Sequence, residues 1–140
     1  MQIAPVNYRN LVPRLDYLVV TKVEPTGHID MLRVTPDLTV QVEHHDGHSH
    51  RFVLDAGQAE DLIHALGMLA ESPVPAIAPG HASRTRFDIE LGWHGRTVRL
   101  HGVESAEDDA VQGVLGFARS VFQDAHPRLQ PRRQPATPQP

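Results

Sequence analysis

The sequence predicts an α+β fold: a two-layer sandwich in which an antiparallel sheet of about six strands carries two helices on one face, in the order ββββαββα. Three observations lead there. Short segments with strand-like alternation fill residues 15 to 54, each bounded by turn residues. An apolar stripe of helical period follows, and a second hairpin and a second stripe complete the pattern. At 140 residues, with 40% hydrophobic and 21% charged side chains, the chain suits one ordinary domain with a packed core.

Residues 1–14 read as an N-terminal extension and 15–126 as the domain. The first hairpin pairs 15–23 with 28–34 through Glu24-Pro25-Thr26-Gly27, which suits a type I turn with proline second. Residues 38–44 then point Leu38, Val40 and Val42 inward, and the return strand is 50–54. Hydrophobic parity sets Val42 opposite Phe52, Val40 opposite Leu54, Glu43 opposite Arg51 and His44 opposite His50, leaving His45 to Ser49 at the tip. Asp55 caps the first helix, with Gln58 completing a capping box. Its buried stripe is Ala59, Leu62, Ile63, Leu66 and Leu69, up to Pro73.

Residues 72–83 form a Pro-rich connector. In the hairpin that follows, His94-Gly95 is a two-residue loop setting Leu91 opposite Val98 and Ile89 opposite Leu100, with Glu90–Arg99 and Asp88–His101 pairs outside. Ser105 caps the second helix, whose stripe is Val111, Val114, Leu115, Ala118, Val121 and Phe122, ended by His126-Pro127. The expected core includes Val42, Phe52, Leu62, Leu66, Ile89, Leu91, Val98, Leu100, Val114 and Val121. Gly67, Gly113 and Gly116 each cost a helix about 1 kcal/mol against alanine, which close helix-to-sheet packing would offset. The two halves share a hairpin followed by Ala59-Glu60-Asp61 or Ala106-Glu107-Asp108, and read as a ββα unit used twice. One sheet face is left open.

The final fourteen residues hold five prolines and three arginines and no acid, which predicts a disordered, basic, Pro/Arg-rich tail at 127–140. The body before it is acidic, within an overall charge of −4, which argues against a nucleic-acid or anionic-membrane binder. The start has no secretory pattern and no apolar run long enough to span a bilayer, so a cytoplasmic location is expected. With no cysteine, thiol catalysis and thiolate zinc sites are excluded. No GxSxG, P-loop or GxGxxG pattern occurs, and Glu107, Asp108 and Asp109 fall where a helix dipole favours acids. A non-catalytic chain without a resident cofactor is expected.

The most unusual segment is His44-His45-Asp46-Gly47-His48-Ser49-His50. Imidazoles bind zinc or nickel, and cross-strand neighbours can share an ion, so His44, His48, His50 and Asp46 are candidate metal ligands of at most weak affinity. The other reading is an exposed turn built from residues that suit turns. Two tips are candidate partner-binding loops: His45, Asp46, Gly47 and His48 in one, Trp93, His94 and Arg96 in the other. A lone tryptophan such as Trp93 more often covers a sheet end. Arg84, Arg86, Arg96 and Arg99, interleaved with Asp88 and Glu90, read as a salt-bridged surface.

From residue 38 onward, the hairpin, LDAGQAEDLIHALGML, RFDIELGWHGRTVRL and the terminal amphipathic helix resemble the emfourin family of small inhibitors of thermolysin-like metallopeptidases. The resemblance covers about two-thirds of the chain, to residue ~124. It implies that the His44–His50 tip approaches a peptidase cleft. Asp46-Gly47 stands where the family has a glycine pair, and the hairpin at 15–34 reads as an addition. The expected function is a protein-binding module, as a peptidase inhibitor or an immunity-type or accessory subunit. The alternative is a metal-binding protein using the histidine tip.

Overall fold

The computed structural model describes residues 14–71, 83–104 and 108–124. Strands β1 (Leu15–Val23), β2 (Ile29–Val34), β3 (Thr39–Glu43) and β4 (Ser49–Val53) precede helix α1 (Ala56–Glu71). Strands β5 (Arg86–Trp93) and β6 (Arg96–Val103) and helix α2 (Asp109–Asp124) follow. The strands form one antiparallel sheet in the order β4-β3-β2-β1-β5-β6. The α+β architecture is therefore the expected one. Residues 1–13 of the extension, the connector from 72 to 82, Ser105 and the tail at 127–140 lie outside the described residues.

The hairpin at 15–34 lies at the centre of the sheet. β1 and β2 are the two central strands, and β1 joins the β3–β4 side of the sheet to the β5–β6 side. Each ββα segment thus flanks this shared centre.

Three successive loops close with the same bonding. Gly27 N–H donates to Glu24 O and Glu24 N–H to His28 O; Gly47 N–H donates to His44 O and His44 N–H to His48 O. In the third, Leu38 N–H donates to Thr35 O and Thr35 N–H to Thr39 O. Gly27 and Gly47 occupy the left-handed position of each loop, at φ 92° and 95°, where Leu38 stands at φ 65°. A left-handed leucine costs roughly 1–2 kcal/mol, but Leu38 is buried in the core, and burying it contributes roughly 1.5–3 kcal/mol. Burial wins, which explains a non-glycine residue there.

This loop chemistry corrects the β3–β4 register. Val40 faces Phe52, Gln41 faces Arg51, Val42 faces His50 and Glu43 faces Ser49. The expected pairs are off by two residues, a shift that preserves inward and outward faces and so is invisible to parity. The β5–β6 hairpin has the expected Ile89–Leu100, Glu90–Arg99 and Leu91–Val98 pairs around a left-handed His94-Gly95 turn. A bulge at Gly102 interrupts the ladder beyond Leu100, and Asp88 accepts the Gly102 N–H while its carboxylate lies 3.5 Å from His101 Nδ1.

Inward residues of the strands, Leu18, Val20, Leu32, Val34, Val40, Val42, Ile89 and Leu91 among them, are buried with the stripes of both helices. Phe52 and Val98, expected in the core, are only partly buried because β4 and β6 are the edge strands of the sheet among the described residues. The α1 capping box forms as expected: Gln58 N–H donates to Asp55 Oδ1, and Asp55 N–H donates to Gln58 Oε1. In α2 the cap is Asp108, whose Oδ1 accepts the Val111 N–H, so the helix starts later than a Ser105 cap implies.

The helix glycines meet the expectation of close helix-to-sheet packing at Gly67 alone. A β-carbon on Gly113 would lie 2.9 Å from Ala65 Cβ, so this glycine permits close helix-to-helix contact rather than helix-to-sheet contact. Gly67 packs against the Trp93 ring, whereas Gly116 has open space beside it.

Candidate functional site

Strand direction sorts the loops. Loops 24–28 and 44–48 lie side by side at one end of the sheet, and the β2–β3 loop and the β5–β6 turn lie at the other. The two tips expected to bind partners therefore sit at opposite ends.

At the Trp93 end, the tip is largely occupied by the fold itself. Trp93 is 5% exposed and packs on α1 at Gly67, so it covers a sheet end and is not a surface anchor. Arg96 reaches back to donate to Ala70 O at 2.6 Å, satisfying a carbonyl in the last turn of α1. His94 and Gly95 remain exposed at the turn, with Gly95 N–H bonded to Asp16 Oδ2 at 2.9 Å.

The histidine end is built differently. On β2 the inward positions run Asp30, Leu32, Val34, which places a carboxylate in the sequence of core-facing residues. Asp30 is 4% exposed. Its Oδ1 accepts the His45 backbone N–H at 2.7 Å and lies 3.0 Å from His45 Nδ1, and its Oδ2 is 3.2 Å from Lys22 Nζ. Burial pushes the Asp30 carboxyl up, but the His45 backbone and ring hydrogen bonds and the Lys22 ammonium together hold it below the usual value. Lys22 also pairs with Glu24 at 3.3 Å and sits over the Phe122 ring of α2, 5.3 Å from its centroid.

One consequence is a fixed imidazole. Asp30 anchors His45 through both main chain and Nδ1, and the His28 ring from the neighbouring loop stacks on it, 4.1 Å between centroids and 5° from parallel. Such a carboxylate-held imidazole has a defined orientation and can accept a hydrogen bond or a proton at its other nitrogen. Lys22, Glu24, His28 and Asp30 were not among the sequence candidates. A readable signal existed in Asp30, a carboxylate at inward parity between apolar neighbours.

The four candidate metal ligands separate into two pairs. His44 is 6% exposed, belongs to the buried side of the tip, and meets His50 edge-on with ring centroids 5.5 Å apart. Asp46 and His48 instead bind each other: His48 N–H donates to Asp46 Oδ1 at 3.0 Å, and His48 Nδ1 is 2.9 Å from Asp46 Oδ2. These contacts from the His48 backbone and ring draw the Asp46 carboxyl down to about 2. Among the described residues, no group of three or more histidine, aspartate or glutamate side chains is arranged to hold a metal ion. No described helix is long and apolar enough to cross a membrane.

The sheet face opposite the helices carries a shallow depression of about 200 Å³, with Val19, Thr21, Asp88, Glu90, Arg99 and His101 around it. Beside it, Tyr17 lies across Gly92, where any β-carbon would overlap its ring, and donates to Glu90 Oε2 at 2.6 Å. The Tyr17 hydroxyl and Arg99 hold the Glu90 carboxyl below its usual range.

No protein-family model matches the chain, and no curated protein matches it in sequence.

Proposed function

We propose that this chain is a non-catalytic protein-binding module whose contact surface is the sheet end formed by residues 24–28 and 44–48. The observation that carries this reading is the buried Asp30 carboxylate, which fixes His45 in place against the stacked His28 ring. Preorganised side chains on a rigid sheet lower the ordering cost that a partner must offset. Within this class, the emfourin resemblance favours an inhibitor of a thermolysin-like metallopeptidase, with the histidine tip entering the cleft.

Titrating such a peptidase with the full chain tests this directly. Expected is dose-dependent inhibition that is weakened by His28→Ala and His45→Ala together and retained by His94→Ala at the other end. Full peptidase activity at a large excess of the chain would remove the inhibitor reading, and equal effects from both ends would remove the assigned surface.

A metal-binding tip is the second reading, and one observation favours it: His50 Nε2 is buried without a hydrogen-bond partner beside the His44 ring. With Asp46 and His48 engaged with each other, only weak zinc or nickel binding is expected from this pair.

A further inference from the structure

The corrected β3–β4 register changes the charge pattern of the open sheet face. Parity alone puts Glu43 opposite Arg51, as an ion pair. In the sheet, Glu43 faces Ser49, and one row across three strands reads Arg51, Gln41, Arg33, followed by Val19 on β1. Arg33 and Arg51 are both exposed and, among the described residues, neither forms an ion pair or a hydrogen bond through its side chain. Glu43, in the adjacent row, reaches neither of them within ion-pair distance.

Most other arginines in the described residues are engaged. Arg14 pairs with Glu71, Arg84 with Glu104 and Arg99 with Glu90, while Arg96 and Arg119 donate to the carbonyls of Ala70 and Glu104. The chain carries seventeen acids against thirteen basic residues, so a shortage of carboxylates does not explain the two unpaired guanidinium groups. They lie two strand spacings apart, roughly 10 Å, with the Gln41 amide between them. Val19, the next residue in the row, lines the depression on the same face.

From this geometry we infer that the open face is a second interaction surface, one that docks an acidic segment of a partner protein. Arg33 and Arg51 bind two of its carboxylates, Gln41 hydrogen-bonds between them, and an apolar partner side chain rests in the depression at Val19. Guanidinium forks on a sheet face that no described helix covers suit carboxylates, and unpaired cations need not break an internal ion pair before binding. The surface is separate from the histidine end and does not depend on it.

The test uses the full chain and a fluorescein-labelled peptide of alternating Glu and Val, with its Gln-for-Glu counterpart as control, read by fluorescence anisotropy. Saturable binding of the Glu peptide that weakens with salt is expected. Arg33→Gln with Arg51→Gln should weaken it about three- to tenfold, from two exposed charge contacts, while Arg14→Gln, which removes a charge paired with Glu71 away from this face, and His45→Ala leave it unchanged. Equal binding of both peptides, binding indifferent to the double substitution, or no saturation would overturn the inference. Sedimentation of the chain alone supplies the remaining arm: self-association abolished by the double substitution would make the occupant a second copy and overturn the assignment to a separate partner.

Discussion

The two ends of the sheet hold their hairpin tips by different physics. At the Trp93 end, a large ring buried against Gly67 and an arginine that satisfies a helix carbonyl tie the turn to the core. At the histidine end, a buried carboxylate organises the loop through its backbone N–H, an imidazole and a lysine. Apolar burial leaves one tip little to offer a partner, whereas the polar network positions side chains that remain partly exposed. Resemblance in sequence, two exposed-looking hairpin loops with histidines and glycines, therefore conceals a difference in how the tips are held.

Substitutions should separate the two ends by size of effect. Trp93→Ala should destabilise by about 3–5 kcal/mol in denaturant unfolding, because it empties a large buried site. A loss under about 1 kcal/mol would mean that the ring is not part of the core. Leu66→Ala, which empties the centre of α1's buried stripe, should cost about 2–5 kcal/mol.

Asp30→Ala leaves the His45 N–H without its partner and the Lys22 ammonium with Glu24 alone, and should cost about 1–3 kcal/mol. It also carries a pH signature. The folded carboxyl lies below its ordinary value of 3.8, so its contribution is present above that pH and is lost as pH falls through the lower folded value. The gap between parent and variant should therefore be constant near neutrality and close in acid. A gap that widened on acidification would contradict the assignment. Arg96→Ala, removing one partly buried side-chain hydrogen bond, should cost only about 0.5–1.5 kcal/mol. Smallest of all is metal binding: calorimetry with zinc should show at most a weak site, lost when His44 and His50 are both changed to alanine. A tight site that survives the double substitution would place the ligands elsewhere.

Much of the fold was legible because the signals were local. The capping box at Asp55 and Gln58, the stripe from Ala59 to Leu69 and the His94-Gly95 turn each specify their element within a few residues. The β3–β4 register was not, since a slip of two residues keeps every apolar side chain inward. What decides it is the loop, and the repeated Gly-His at 27–28 and 47–48 marks the same turn twice. The candidate site was half legible. His45 stood out by composition, but its partners Asp30 and His28 come from another hairpin, and only the strand order brings that hairpin alongside. Trp93 was readable as a cover for a sheet end and as a surface anchor, and the room that Gly67 leaves for its ring, which decides for the cover, does not show in the sequence.

The reading of the histidine end as a preorganised surface turns on the bond between Asp30 and His45. Nitrogen-15 spectra of the imidazole rings at neutral pH report it, because an Nδ1–H donated to a carboxylate fixes the tautomer. His45 should show the Nδ1-protonated form, and Asp30→Ala should return it to the Nε2-protonated mixture of a free histidine. A His45 ring with that free-histidine pattern in the unsubstituted protein would contradict the account.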